Sequence, residues 1–316
     1  MKALRKVLLL MVIFVCVPVF SVFGEELAKT GELKVADAVV AGDSEKAVHK
    51  VETEKGPVLQ HSQEPPVSGS AALGLYNQYI FRGYEIGKSG LVVEPSLSAS
   101  YKGFSATFWG NIDTNQRSTK SADFSSESRA FKKGWNETDL TLSYTHAFDK
   151  LSLTGGYTYY GTKYADETEE LFATIAYDII SKPSLSIYRD IMNYKGTYIN
   201  LSFAHSIPIV KEMTLDLGAS FGYFIGESDY WKTYDEASAT YTGSKYKGFH
   251  DGMVKAGFTI PVTKAFSIQP VVQYWFPLSG DAKREYANGT DIKDSYNPNG
   301  PVKNTFVYGV GFTYSF

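Results

Sequence analysis

The chain ends in Thr305-Phe306-Val307-Tyr308-Gly309-Val310-Gly311-Phe312-Thr313-Tyr314-Ser315-Phe316, and this stretch decides the fold. Large apolar or aromatic side chains occupy every even position, and most odd positions carry Gly, Ser or Thr. Successive side chains of a β-strand point to opposite faces of the sheet, so this period of two predicts a strand with one large apolar face.

Eleven other segments show the same alternation, which gives twelve predicted strands in all. Each has nine to thirteen residues. Strands of soluble domains have about 5–6 residues, whereas a tilted strand needs about 9–11 to cross a bilayer. The predicted strands are 71–82, 91–101, 104–113, 137–148, 151–161, 169–179, 184–192, 197–206, 213–224, 249–260, 265–276 and 304–316.

The connections between these strands alternate in length. Lys102-Gly103 and Asp149-Lys150 are two-residue turns, whereas the connections 114–136, 225–248 and 277–303 are long and polar. Short turns on one side and long loops on the other are typical of outer-membrane barrels. We therefore expect an all-β fold, a transmembrane antiparallel up-and-down β-barrel of about twelve strands. The strands of a secreted β-sandwich also alternate apolar and polar residues, but they are shorter, and the loops between them lack this asymmetry of length.

The residues before the barrel divide into two segments. Residues 1–24 combine Lys2, Arg5 and Lys6 with an apolar run and small residues near Gly24, which predicts a cleaved signal peptide. Residues 25–69 contain no aromatic residue and many charges, so they predict a disordered periplasmic linker. The barrel is predicted over 70–316.

Composition excludes several classes of protein. The net charge of −3 argues against a nucleic-acid binder. The single cysteine, Cys16, excludes a disulfide framework and a cysteine-based metal site. Pro95 and Pro270 fall inside predicted strands, where we expect bulges. No cofactor and no metal are expected.

The segment Leu75-Tyr76-Asn77-Gln78-Tyr79-Ile80-Phe81-Arg82-Gly83-Tyr84 resembles the opening motif of the TorF-type family of bacterial outer-membrane porins, formerly a family of unknown function. Gly103-Phe104, Trp109-Gly110-Asn111 and Gly156-Tyr157-Thr158-Tyr159-Tyr160 extend the similarity. The resemblance covers most of 70–316 and implies a barrel with a pore. It implies no particular substrate and no functional residues.

Side chains alternate between the two faces of each predicted strand, and this alternation points several charged residues into the lumen. Glu170 is a further candidate for an inward-facing residue. Their acidic excess predicts a pore that mildly prefers cations. Alternatively, the same charges pair with one another and fill a plugged lumen. The pore-lining candidates are Arg82, Glu94, Asp113, Asp139, Asp178, Asp190, Asp216, Asp251 and Lys255.

Two other function classes are compatible with a barrel. A barrel-embedded lipid enzyme needs a histidine at the outer rim, where His250 beside Asp251 is the candidate, but no G-x-S-x-G motif is present. A structural or adhesive barrel would act through its long loops, whose candidate contact residues are Trp135, Trp231, Tyr230, Tyr234 and Tyr241. In the last long loop Asp281, Asp291 and Asp294 are candidates for a divalent ion, but their spacing does not match a calcium-binding loop.

The sequence therefore predicts a non-enzymatic, porin-like channel in a bacterial outer membrane, through which small hydrophilic solutes or ions diffuse. Its partners would be the lipid bilayer, these solutes and the barrel assembly machinery, with Tyr314 and Phe316 as the assembly signal. Nucleic acid is not expected as a partner. A homo-oligomer is compatible with the sequence, which identifies no interface.

Overall fold

A computed structural model describes residues 67–87, 90–117, 131–235, 238, 240–283 and 304–316. Its centre is a closed barrel of twelve antiparallel strands, in which β1 pairs with both β4 and β16. These strands are β1 (Ser68–Tyr76), β4 (Val92–Tyr101), β5 (Phe104–Arg117), β6 (Phe131–Phe148), β7 (Leu151–Thr162), β8 (Thr168–Tyr177), β9 (Ser184–Asp190), β10 (Gly196–Val210), β11 (Met213–Gly226), β14 (Lys247–Pro261), β15 (Phe266–Pro277) and β16 (Thr305–Ser315).

Two small hairpins stand apart from the barrel wall. One pairs β2 (Tyr79–Phe81) with β3 (Tyr84–Gly87), and the other pairs β12 (Lys232–Asp235) with β13 (Thr240–Lys245). A 3₁₀ turn, Asp229–Trp231, precedes β12, and residues 280–283 form one helical turn. Within the described ranges, no helix is long and apolar enough to cross a membrane.

The predicted fold class is confirmed, and the alternation of the sequence explains it. On β6, Leu140, Leu142 and Tyr144 are exposed on the outer surface, whereas Thr141 lies inside and meets Thr158 of β7. Other outward residues include Leu171, Ile175 and further large apolar side chains. A closed barrel has no unpaired strand edge, and its apolar outer band suits lipid, so this is an outer-membrane barrel.

The inner wall near the periplasmic mouth is lined with hydroxyl groups. Cross-strand pairs place hydroxyl oxygens within hydrogen-bond distance, as for Ser98 with Thr107 at 2.9 Å and Ser100 with Ser105 at 2.7 Å. Thr174 and Ser186 make a similar pair at 2.8 Å. This half of the lumen is therefore polar and lined by small side chains.

The bulges expected at Pro95 and Pro270 are not present. The β4–β5 register on either side of Pro95 is unchanged, and so is the β14–β15 register around Pro270. Beside each proline two register pairs are missing on one side of the strand, but no residue is added, because the proline lacks only the N–H group. Register shifts occur elsewhere, for example between Pro208 and Val210 of β10.

The predicted first strand, 71–82, is wrong at its outer end. β1 stops at Tyr76, and the chain then forms the β2–β3 hairpin, whose Tyr79, Tyr84 and Ile86 are all buried. Tyr79 packs on Trp109 of the wall, with ring centroids 5.4 Å apart. The hairpin thus folds into the outer half of the barrel, although strand ends in barrels ordinarily carry their aromatic residues at the membrane interface.

Candidate functional site: the occluded outer half of the lumen

The hairpin reverses at a two-residue turn formed by Arg82 and Gly83. Both have positive φ, 47° and 78°, and the flanking residues Phe81 and Tyr84 pair with each other. Two-residue turns with positive φ at both positions match the twist of a β-hairpin, and glycine adopts this conformation without a steric penalty. Arginine has a steric penalty there, as Lys102 has in the turn before Gly103, and the contacts of the Arg82 side chain help to offset it.

Two side chains hold the hairpin where it leaves the wall. The Asn77 side chain accepts a hydrogen bond from the Tyr308 amide at 2.8 Å and donates one to the Phe306 carbonyl at 3.2 Å. Gln78 Nε2 donates to the same carbonyl at 2.8 Å and to Thr305 Oγ1 at 2.6 Å. These amides replace the backbone ladder that β16 loses when β1 ends.

At the tip of the hairpin, the Arg82 guanidinium makes a two-pronged ion pair with the wall. Nη1 donates to Glu170 Oε1 at 2.7 Å, and Nη2 donates to Glu170 Oε2 at 2.8 Å. The two side chains are only 12% and 7% exposed. Two parallel N–H···O bonds to a carboxylate are the strongest geometry that an arginine adopts.

Aromatic rings surround the same guanidinium. The Arg82 Cζ atom lies 4.5 Å from the Tyr188 ring centroid, 4.6 Å from that of Tyr198 and 4.7 Å from that of Phe81. These separations are within the range of cation–π attraction. Tyr188 and Tyr198 belong to β9 and β10, so the barrel wall supplies the carboxylate and two of the three rings.

Other carboxylates of the outer half have hydroxyl or amide donors. Tyr198 Oη donates to Asp251 at 3.0 Å, and Thr168 Oγ1 donates to Asp190 at 2.6 Å. Asp113 Oδ1 accepts from the Asn115 amide at 2.6 Å, while its other oxygen has no hydrogen-bond partner among the described residues. Buried carboxylates without cations are energetically costly, so this region favours positive charge.

The structure places the sequence-predicted residues at different heights in the barrel. Arg82, Asp113, Asp190 and Asp251 meet in the outer half, around the hairpin. Glu94 and Asp139 occupy inward-facing positions of β4 and β6. Asp216 and Lys255 lie in the wall nearer the periplasmic side, where Thr214 and Thr259 donate to Asp216 at 2.9 Å and 2.6 Å.

The prediction for Asp178 is corrected. β8 ends at Tyr177, and Asp178 lies in the following periplasmic turn with 64% of its side chain exposed. Lys182 Nζ lies 4.0 Å from its carboxylate. The predicted strand 169–179 runs two residues too far, because the turn begins earlier than the apolar pattern indicates. Asp178 therefore does not line the lumen.

A cluster of buried aromatic residues packs around the hairpin. Tyr84 lies beside Trp231 and His250, and the rings of Phe224 and Trp231, tilted by 54°, have centroids 4.2 Å apart. Trp231 is 3% exposed, which corrects its prediction as a loop residue that contacts a partner. His250 is fully buried in the same cluster, beside Tyr84 of the hairpin. The side chains of Tyr234 and Tyr241, and residues Asp291 and Asp294, lie outside the described part of the chain.

A cavity of about 60 Å³ remains beside the guanidinium. Its walls include Arg82, Glu137, Tyr160, Glu170 and Asp190. A space of this size with several polar partners holds a few water molecules. The outer half of the lumen thus surrounds a small chamber lined by both charged and aromatic side chains.

Loop residues contribute further hydrogen bonds to the outer half and its rim. Tyr164 Oη donates to Glu137 Oε2 at 2.6 Å, and burial raises the pKa of Tyr164 well above its ordinary value, so the phenol stays protonated. At the exposed rim, a hydrogen bond from Lys232 lowers the pKa of Asp229. Among the described residues, no cluster of His, Cys, Asp or Glu has the arrangement of a metal site.

Sequence reasoning missed the tyrosines that surround the Arg82–Glu170 ion pair. Tyr160, Tyr188 and Tyr198 alternate along their strands like other inward-facing residues, and nothing local distinguishes them. The partner of Arg82 is 88 residues away in the chain. The Arg82-Gly83 pair itself was a usable signal, since a glycine in the second position favours a tight hairpin turn.

No protein-family model matches the chain, and no curated protein matches it. Among solved structures, the KdgM porin aligns with 79% of this chain and 99% of its own, at 12% identity and a TM-score of 0.44. The NanC porin aligns at 10% identity and a TM-score of 0.42, covering 78% and 98% of the two chains. An outer-membrane channel from Pseudomonas putida F1 aligns at 10% identity and a TM-score of 0.45, and the alignment covers 82% of this chain and 100% of that channel. At these values the likenesses carry no argument about what this barrel does.

Proposed function

We propose that the protein is an outer-membrane channel for passive diffusion of small hydrophilic solutes or ions, with a mild preference for cations, and that the β2–β3 hairpin holds it closed in the described state. The acidic excess around the hairpin is the observation that carries this proposal. Six carboxylate side chains are buried, and no lysine in the described ranges is buried with them. The buried carboxylates are Glu85, Asp113, Glu137, Glu170, Asp190 and Asp251.

The path for the solute follows from the two halves of the lumen. The hydroxyl-lined inner half offers a polar wall, and the outer half is closed by a segment that is not part of the barrel wall. The hairpin connects to β1 and β4 at its two ends, so its displacement leaves the twelve-strand ladder intact. Fixed negative charge in a narrow pore favours cations over anions.

The test is current through a planar bilayer that contains the refolded mature protein, with a salt gradient across the membrane. We expect brief discrete steps of current, and a reversal potential with the sign of a cation-selective pore. Anion-selective steps would reject the acidic-lumen mechanism, and the absence of steps from folded protein would reject passive diffusion.

A second candidate is a non-conducting structural or adhesive barrel. The aromatic cluster of Tyr84, Phe224, Trp231 and Tyr246 favours it, because such packing suits a permanent plug. Loop deletion discriminates between the two: an adhesive barrel would lose surface binding, while a channel would keep its conductance. The buried position of His250 gives no support to the lipid-enzyme alternative.

The remaining proposals concern family and assembly. Membership in the TorF-type family stays a prediction based on the motif around Arg82 and Gly83. Recognition by the barrel assembly machinery would use Tyr314 and Phe316, and Phe316 is 62% exposed at the end of the chain. A homo-oligomer stays a proposal without an assigned interface.

A further inference from the structure

The guanidinium of Arg82 occupies a recess whose polar floor belongs to the barrel wall. Glu170 of β8, Tyr188 of β9 and Tyr198 of β10 contact it from three neighbouring strands. We propose that these residues form a binding site for small guanidinium-bearing cations, and that Arg82 is its tethered occupant in the closed state. The inference rests on the proposed channel, since a solute reaches this recess only when the hairpin moves.

The wall residues of the recess are also held by partners other than Arg82. Tyr160 Oη donates to Glu170 Oε2 at 2.8 Å and so orients the carboxylate. Tyr198 Oη donates to both oxygens of Asp251, at 3.0 Å and 3.1 Å, which fixes its ring. Tyr188 packs between Phe172 and Tyr198, with centroids 5.7 Å and 6.2 Å away. A ligand therefore meets a formed site and loses little affinity to reorganisation.

The chemistry of the recess selects guanidinium over other cations. A planar guanidinium donates two parallel hydrogen bonds to one carboxylate and lies against aromatic faces, whereas an ammonium is a strongly hydrated point charge. Asp190 and Glu137 line the adjoining cavity, so the surrounding charge is also negative. A cation that replaces Arg82 would leave Glu170 paired when the hairpin is displaced.

The experiment removes the tethered occupant and supplies a free one. Arg82→Ala deletes the atoms beyond Cβ, and ethylguanidinium restores a two-carbon stem with its guanidinium. The full mature protein is refolded in detergent micelles, and its thermal unfolding is followed with ethylguanidinium or with ethylammonium at equal ionic strength. We expect saturable stabilisation by ethylguanidinium, with an apparent affinity at least about tenfold above that of ethylammonium.

Two further variants serve as controls. Arg189→Ala removes an arginine that pairs with Glu227 on the outer surface, and it should bind ethylguanidinium no better than the wild type. Adding Glu170→Gln to Arg82→Ala should abolish the stabilisation. Equal responses of the Arg82→Ala and Arg189→Ala proteins would overturn the proposal.

The wild-type protein provides a second test that requires no variant to fold. Ethylguanidinium on the extracellular side should compete with Arg82 and increase channel openings in a planar bilayer at least about threefold over ethylammonium, because an ammonium cannot form the paired hydrogen bonds. Equal openings with both cations would contradict the site. Binding in micelles without any conductance would reject the channel and keep the site, so the two failures are distinguishable.

Discussion

Arg82 and Glu170, 88 residues apart in the chain, form a two-pronged ion pair inside the barrel, with N–O distances of 2.7 Å and 2.8 Å. The pair joins the tip of the β2–β3 hairpin to strand β8. Its position makes the ion pair a latch for the hairpin, since the same contact anchors the hairpin inside the barrel and compensates a buried charge.

Glu170→Gln should loosen the hairpin. Removal of one partner of a buried ion pair leaves the other charge uncompensated, which costs about 3–5 kcal/mol. We expect hydrogen exchange at residues 79–87 to accelerate by roughly two to four orders of magnitude. Glu227→Gln is the matched control, because the Arg189–Glu227 pair is partly exposed and should contribute about 0–1 kcal/mol. Equal exchange in both variants would show that Glu170 does not hold the hairpin.

Gly83→Ala should expose Arg82 to protease. The φ of Gly83 is 78°, and an alanine in the left-handed region costs about 1–2 kcal/mol. Cleavage after Arg82 by trypsin, quantified by mass spectrometry, should rise at least about fivefold. Gly103→Ala changes a periplasmic turn glycine with φ 86° and should leave cleavage at Arg82 unchanged. Similar cleavage of Gly83→Ala and wild type would contradict a strained turn at the tip.

Asn77→Ala should weaken the attachment of the hairpin to β16. The variant removes the acceptor of the Tyr308 amide, so hydrogen exchange of that amide should accelerate by roughly fivefold, equivalent to about 1 kcal/mol. Asn77→Asp keeps an acceptor oxygen and should preserve protection of the Tyr308 amide. Protection that survives in Asn77→Ala would mean that the backbone alone holds this end of β16.

Asp216→Asn should shift the reversal potential toward anions. Asp216 faces the inner half of the lumen, where Thr214 and Thr259 hold its carboxylate. Removal of one fixed negative charge from a narrow pore weakens its attraction for cations. Asp178→Asn, in the exposed periplasmic turn, should cause no shift. A reversal potential that is insensitive to Asp216 would place the selectivity elsewhere.

Most of the barrel is predictable because its signals are local. The exposed Leu140 and Leu142 and the inward Thr141 follow from the period of two, and the turn at Lys102-Gly103 follows from glycine. The hairpin is not predictable in the same way. Tyr79, Ile80 and Phe81 form an apolar run that extends β1 in the sequence, and the contacts that fold them inward come from distant strands.

The candidate site is predictable only in part, because some of its signals are local and others depend on distant strands. The inward phases of Asp113, Asp190 and Asp251 follow from strand alternation, and the structure gathers them with Arg82 in the outer half. Asp178 was assigned to the lumen because apolar alternation does not show where β8 ends. The aromatic residues that surround Arg82 depend on barrel closure and register, which local sequence does not encode.

The most direct test of the latched channel compares single-channel recordings of the wild type, Glu170→Gln and Glu227→Gln under a salt gradient. The account predicts rare cation-selective openings for the wild type and Glu227→Gln, and an open fraction at least about tenfold higher for Glu170→Gln. Equal open fractions in all three folded proteins, or a persistent absence of current from Glu170→Gln, would contradict it.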